Sequence, residues 1–90
     1  MRVARRFVIH GRVQGVGFRW FTQHAAAREG VTGYVRNLPD GTVESYAEGE
    51  ADALTRFERA VRSGPPGARI KQVTVVAEDP TGGYKGFSIT

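Results

Sequence analysis

Phe7-Val8-Ile9-His10-Gly11-Arg12-Val13-Gln14-Gly15-Val16-Gly17-Phe18-Arg19 passes from a strand-like run to a helix-like run through a set of glycines. Phe7, Val8 and Ile9 are apolar and partly β-branched, as a strand favours, whereas Phe18, Phe21, Thr22 and Ala25 recur at helical spacing. Gly15 and Gly17 can adopt positive φ without steric cost and leave no side chain in the way, so successive backbone N–H groups can converge on one anion. A helix N-terminus adds unpaired donors and about half a positive charge. Arg19 falls in the first helical turn, where the helix dipole disfavours a cation unless an anion neutralises both. The junction thus reads as a candidate anion loop made of Gly15, Val16, Gly17, Phe18 and Arg19. Two standard phosphate motifs do not fit. The dinucleotide pattern needs a third glycine where Trp20 stands, and no Gly-Lys-Ser or Gly-Lys-Thr follows. A plain glycine turn before a helix is the alternative that these residues leave open.

Outward from this junction, residues 5–13 read as a strand with Phe7, Ile9 and Val13 on one face and Val8, His10 and Arg12 on the other. A first helix is expected over Phe18–Glu29, stopped by Gly30. Thr32–Leu38 and Thr42–Glu48 read as extended runs around Leu38-Pro39-Asp40-Gly41, an antiparallel hairpin with a type I turn and a bulge. Glu44, Tyr46 and Glu48 alternate with Val43, Ser45 and Ala47, which predicts one packed face and one solvated face. Leu54, Phe57 and Val61, with Ala53 and Ala60, form the apolar stripe of a second helix, and Arg56, Arg59 and Arg62 point away from it. Gly64-Pro65-Pro66-Gly67 ends that helix, Ile70–Val76 makes the next strand, and Phe87–Ile89 follows a Pro80-Thr81-Gly82-Gly83 loop. The order β-α-β-β-α-β with a short terminal addition specifies an α+β, ferredoxin-like fold. It predicts an antiparallel sheet carrying both helices on one face.

Composition limits the partners. Ninety residues read as one small domain spanning 1–90, expected to bury about 60 to 65% of the surface its unfolded chain exposes. Without cysteine there is neither a disulfide framework nor thiol chemistry. Met1-Arg2-Val3-Ala4-Arg5-Arg6 lacks the apolar core of a signal peptide, so the cytoplasm is the expected compartment and no membrane partner is expected. The net charge of +4 favours anionic partners without separating a small phosphorylated molecule from nucleic acid. His10 and His24 have neither metal-ligand spacing nor clustered carboxylates nearby, so no metal is expected.

Gly11-Arg12-Val13-Gln14-Gly15-Val16-Gly17-Phe18-Arg19 closely resembles the first motif of the acylphosphatases, which hydrolyse the carboxyl-phosphate bond of acyl phosphates. Gly33-Tyr34-Val35-Arg36-Asn37-Leu38-Pro39-Asp40-Gly41-Thr42-Val43 is similar to a second motif of that family, and Phe87-Ser88-Ile89 to its closing segment. The resemblance covers essentially the whole chain. It implies a free-standing, metal-independent hydrolase without a cofactor, with a small acyl phosphate as substrate and inorganic phosphate as product and competitive inhibitor. A monomer is expected. Arg19 is the candidate phosphoryl clamp, because its planar guanidinium offers paired donors and stays charged. In this reading Asn37 orients the attacking water, for which a side-chain amide carries both donors and an acceptor. Local turn formation before Pro39 is the other role open to Asn37. Trp20 and Thr42 are left outside the catalytic set.

Two competing classes share parts of this pattern. RNA-recognition modules have the same element order, but they need stacking aromatics on the central strands, and the third extended run offers Tyr46 between acids that repel phosphate. A carbamoyl-phosphate-processing domain of a larger maturation protein carries the same two motifs.

Overall fold

The computed structural model describes all residues 1–90. The elements run β1 (Arg2–Arg12), α1 (Phe18–Glu29), β2 (Thr32–Asn37), β3 (Val43–Glu50), α2 (Ala51–Ser63), β4 (Arg69–Glu78) and β5 (Phe87–Ile89). They build one five-stranded sheet in the order β4-β1-β3-β2-β5. β1 lies antiparallel to both β3 and β4, and β2 antiparallel to β3, which is the expected ferredoxin-like arrangement. The terminal addition β5 runs parallel to β2, with Val35 opposite Ile89. The sheet is therefore mixed, and β5 covers what would otherwise be an open edge at β2.

Each element follows from its residues. α1 spans the expected residues because Gly17 starts it and Gly30 stops it, both in the left-handed region, the Gly30 N–H donating to the carbonyls of Ala26 and Ala27. β1 starts at Arg2 rather than residue 5 because Arg2 to Ala4 pair with Glu50 to Glu48, an extension fixed by the partner strand and too short to show an alternation of its own. It stops at Arg12, two residues past a register shift with β4 between His10 and Gly11. A Cβ on Gly11 would stand 2.0 Å from the Arg69 carbonyl oxygen, so the two backbones meet closely at this bulge. β4 runs beyond the apolar Ile70–Val76 at both ends, pairing Arg69 with Arg12 and Glu78 with Ala4.

One core joins the helices to the sheet. Phe7, Ile9, Val35, Val43 and Ala47 from the strands pack on Phe18, Ala25, Leu54, Phe57 and Val61 from the helices. Phe57 sits edge-on to Phe7 at 5.7 Å between ring centres and contacts Phe87 of β5 at the same distance.

The opposite face of the sheet is not solvated as its alternation suggests. Glu48 is 0% exposed, Tyr46 3% and Glu44 8%. Arg6 donates to Glu44 and Glu78, and Arg36 donates to Glu44. The tyrosines 34, 46 and 84 cluster beside them at 5.3 to 6.1 Å. Glu48 accepts from the Tyr46 hydroxyl at 2.7 Å, the Thr81 N–H at 2.8 Å, the Thr81 hydroxyl at 2.7 Å and the Gly82 N–H at 3.0 Å. Arg2 stands 3.6 Å away. Period-two alternation of acids looks the same whether water or a donor cage covers them, so the burial is invisible in the sequence.

Burial drives the Glu48 carboxyl upward, but donation by Tyr46, Thr81 and Gly82 outweighs it and holds the group at about 2. A depressed carboxyl contributes stability that is present above its unfolded value and lost as pH falls through the folded one. Glu48→Gln is expected to lower stability at neutral pH by about 2 kcal/mol, because a charge-assisted cage becomes a mismatched one. It should also flatten the loss of stability between pH 4.5 and 2. Denaturant titrations of both proteins across that window check this, and an unchanged pH slope in the variant would contradict the cage.

Candidate active site

Gly15 and Gly17, between β1 and α1, both lie in the left-handed region, at φ 75° and 79°. The turn they make leaves every backbone N–H from Gly15 through Trp20 without a protein acceptor. The first N–H of the stretch that finds one is that of Phe21, bonded to the Gly17 carbonyl at 3.0 Å. No side chain caps α1, and its first turn contains no acid. The usual remedies for orphan donors at a helix start are thus missing, so the loop presents a row of unpaired N–H groups at the positive end of the helix dipole. A Cβ on Gly17 would meet nothing within 4 Å, so glycine stands there for its backbone angle rather than for space.

Arg19 is exposed and has no carboxylate within ion-pair distance, unlike Arg2, Arg5, Arg6, Arg28, Arg36, Arg56 and Arg62, which all have one. Arg12 and Arg69, cross-strand partners where β1 ends, are also without carboxylates, as is Arg59 on α2. An unneutralised positive field therefore gathers at the loop end of the sheet, where it can draw in an anion.

The second motif reaches the same place through the β2–β3 hairpin. The turn closes with the Gly41 N–H on the Leu38 carbonyl at 3.1 Å and the Leu38 N–H on the Thr42 carbonyl at 2.9 Å. Asp40 accepts from the Thr42 hydroxyl at 2.6 Å and the Thr42 N–H at 3.0 Å, which hold its carboxyl below the usual range. Thr42 is thereby engaged in the turn. Gln14 then joins the two motifs: its Nε2 donates to the carbonyls of Leu38 at 2.8 Å and Thr42 at 2.9 Å. Asn37, at the end of β2, precedes this clasp by one residue. Its side-chain amide is half-buried and takes no part in the hydrogen bonds of the turn.

A cavity of about 250 Å³ results, lined by Gly15, Gly17, Phe18, Arg19, Trp20 and Asn37 with Val13 and Ile89. Of the residues singled out in the sequence, Gly15, Gly17, Phe18, Arg19 and Asn37 come together here. Val16 does not line this cavity; it packs against the core, and its backbone N–H alone belongs to the row of donors. Gln14, Trp20 and Ile89 carried no signal of their own in the sequence, since a motif glutamine has no obvious partner and Ile89 arrives through the parallel pairing of β5. No group of three or more histidine, aspartate or glutamate side chains lies close enough to hold a metal ion, and no helix is long and apolar enough to cross a membrane.

The acylphosphatase family model matches residues 5–89. An acylphosphatase from Thermococcus kodakarensis is 47% identical over 88 residues, covering 98% of this chain and 96% of its own. The crystal structure of an acylphosphatase from Bacillus subtilis superposes with a TM-score of 0.94 at 40% identity, covering 98% of each chain. Full-length HypF in a phosphate- and nucleotide-bound form contains a similar fold, with a TM-score of 0.88 at 30% identity over all of this chain and 12% of that one. A row of unpaired N–H groups, an unpaired arginine and an uncommitted amide on one small cavity accord with those likenesses: the chain belongs to the acylphosphatase family, hydrolases of the carboxyl-phosphate anhydride.

Proposed function

We propose that this chain hydrolyses small acyl phosphates by direct attack of a water that Asn37 orients, without a metal or a cofactor. The observation that carries the reading is the shared cavity: Arg19 and the loop glycines come from one motif, Asn37 from the other, and all line the same 250 Å³ space. An acyl phosphate is an energetic mixed anhydride with a good leaving group, so the catalyst chiefly holds the phosphoryl group, neutralises charge and positions water in line. The N–H groups from Gly15 through Arg19 cradle two phosphoryl oxygens, and the Arg19 guanidinium takes the charge that shifts in the transition state. The hairpin turn is made by Asp40 and Gln14, which leaves the Asn37 amide free for water.

Inorganic phosphate fits the same cradle as product and competitive inhibitor. Nucleic acid is disfavoured on the sheet face opposite the helices, where Arg6 and Arg36 are spent on Glu44 and Glu78 and the central strand carries buried acids. The absence of cysteine fits a reducing compartment such as the cytoplasm.

Benzoyl phosphate should be turned over in the presence of excess chelator. A strict requirement for a divalent ion, or no turnover by folded protein, would contradict the reading.

Two variants separate the assigned roles. Arg19→Ala is expected to weaken both inorganic phosphate binding and kcat/KM by about a hundredfold, because charge-assisted bonds contribute about 1.5 to 3 kcal/mol each, and Arg19→Lys should restore little. Asn37→Ala should lower kcat by about two to three orders of magnitude while phosphate affinity stays near that of the wild type. Steady-state kinetics beside phosphate-dependent melting shifts distinguish these patterns. Equal kcat in Asn37→Ala would remove the residue from the reaction.

A further inference from the structure

Beside the phosphoryl cavity lies a second groove of about 490 Å³, and the two share Gly17 and Trp20 as a common wall. Val16, Phe21, His24, Pro65 and Pro66 form the rest of its apolar and aromatic lining, which includes no carboxylate. Trp20 is 63% exposed, an unusual state for the largest apolar side chain of a small protein. The indole is nevertheless held in place. Its ring lies 4.0 Å from that of His24, tilted by 38°, and His24 Nδ1 stands 3.2 Å from the Trp20 carbonyl, in position to donate to it. A fixed flat surface, open to solvent and joined to an anion cavity, is a surface for the organic part of a phosphorylated molecule.

The direction of the groove agrees with the chemistry. In-line displacement places the attacking water and the leaving group on opposite sides of phosphorus. Asn37 lines the phosphoryl cavity and not the groove, whereas Gly17 and Trp20 line both. A phosphoryl group with its water at Asn37 therefore directs its acyl oxygen away from Asn37, toward the Trp20 wall.

We propose that the groove of Trp20, Phe21, His24, Pro65 and Pro66 is the acyl subsite, and that it selects planar, apolar acyl groups, aromatic ones above all, over small aliphatic ones. The proposal rests on the phosphoryl reading of the adjoining cavity. Trp20 is a specificity residue in this account: it touches the leaving group and leaves the attack itself to the other motif.

The test uses two inert analogues, phenacylphosphonate and acetonylphosphonate, in which a methylene replaces the bridging oxygen. Trp20 is the sole tryptophan, so its fluorescence reports occupancy of the groove in the wild type. Calorimetry gives dissociation constants for the variants. The expected result is about tenfold tighter binding of the phenacyl compound, accompanied by fluorescence quenching, with inorganic phosphate displacing both analogues. Trp20→Ala should bind the two alike, and Trp20→Phe, which keeps a flat ring, should retain most of the preference. Equal affinities in the wild type with phosphate still competing would overturn the subsite and spare the phosphoryl cavity. A phenacyl preference that survives in Trp20→Ala would overturn it as well. If phosphate displaces neither analogue, the phosphoryl reading fails and the subsite falls with it.

Discussion

The pairing of β1 between β3 and β4 is the constraint on which the rest of the molecule depends. It places Phe7 and Ile9 at the centre of the core and carries the chain through the bulge at Gly11 to Arg12, the last residue paired with β4. Everything at the site hangs from that point. The loop departs from the end of a central strand, packed by its neighbours on both sides, and enters α1 through two left-handed glycines. Gln14 then fastens the loop to the β2–β3 turn, so two segments far apart in sequence hold one geometry. A site that works by preorganised donors needs such rigidity, since an ångström of looseness removes most of the electrostatic advantage.

Charge is divided between two ends of the protein. On the sheet face opposite the helices, arginines and acids neutralise one another, and the buried Glu48 draws the Thr81–Gly82 segment onto the sheet. That segment leads into β5, which supplies Ile89 to the cavity wall. At the loop end, Arg12, Arg19 and Arg69 have no acid partners. A basic protein of this size could scatter its excess charge over the surface, where screening would blunt it. Here part of the excess sits beside a row of backbone donors, so the attraction for an anion and the geometry to hold one coincide.

The fold was legible wherever local chemistry decided it. Gly17 and Gly30 bounded α1, the apolar stripe of Leu54, Phe57 and Val61 announced α2, and Pro39-Asp40-Gly41 marked the hairpin. The rest lay in long-range contacts. Nothing in Arg2-Val3-Ala4 shows that it pairs with Glu48 to Glu50, and nothing in Phe87-Ser88-Ile89 shows that it runs parallel to β2. Glu48 reads as a surface acid because, apart from Tyr46, the donors that close over it come from Thr81 and Gly82, more than thirty positions away. The site followed the same rule. Arg19 and Asn37 stood in motifs that resemble a known family, while the Gln14 clasp and the Trp20 wall required the hairpin and α1 to be set in space. Val16, grouped with the loop by sequence, packs against the core beside the Trp20 groove and keeps only its N–H on the phosphoryl side.

At the centre of the account is a water that attacks phosphorus while the acyl oxygen leaves. Turnover of an acyl phosphate in ¹⁸O-labelled water, followed by mass analysis of both products, tests it directly. Attack at phosphorus breaks the phosphorus–oxygen bond and places the label in inorganic phosphate, leaving the carboxylate unlabelled. The geometry of Asn37, Arg19 and the loop predicts that outcome for every turnover. Label in the carboxylate would mean that water attacks the acyl carbon, and the cavity described here would not be the seat of the reaction.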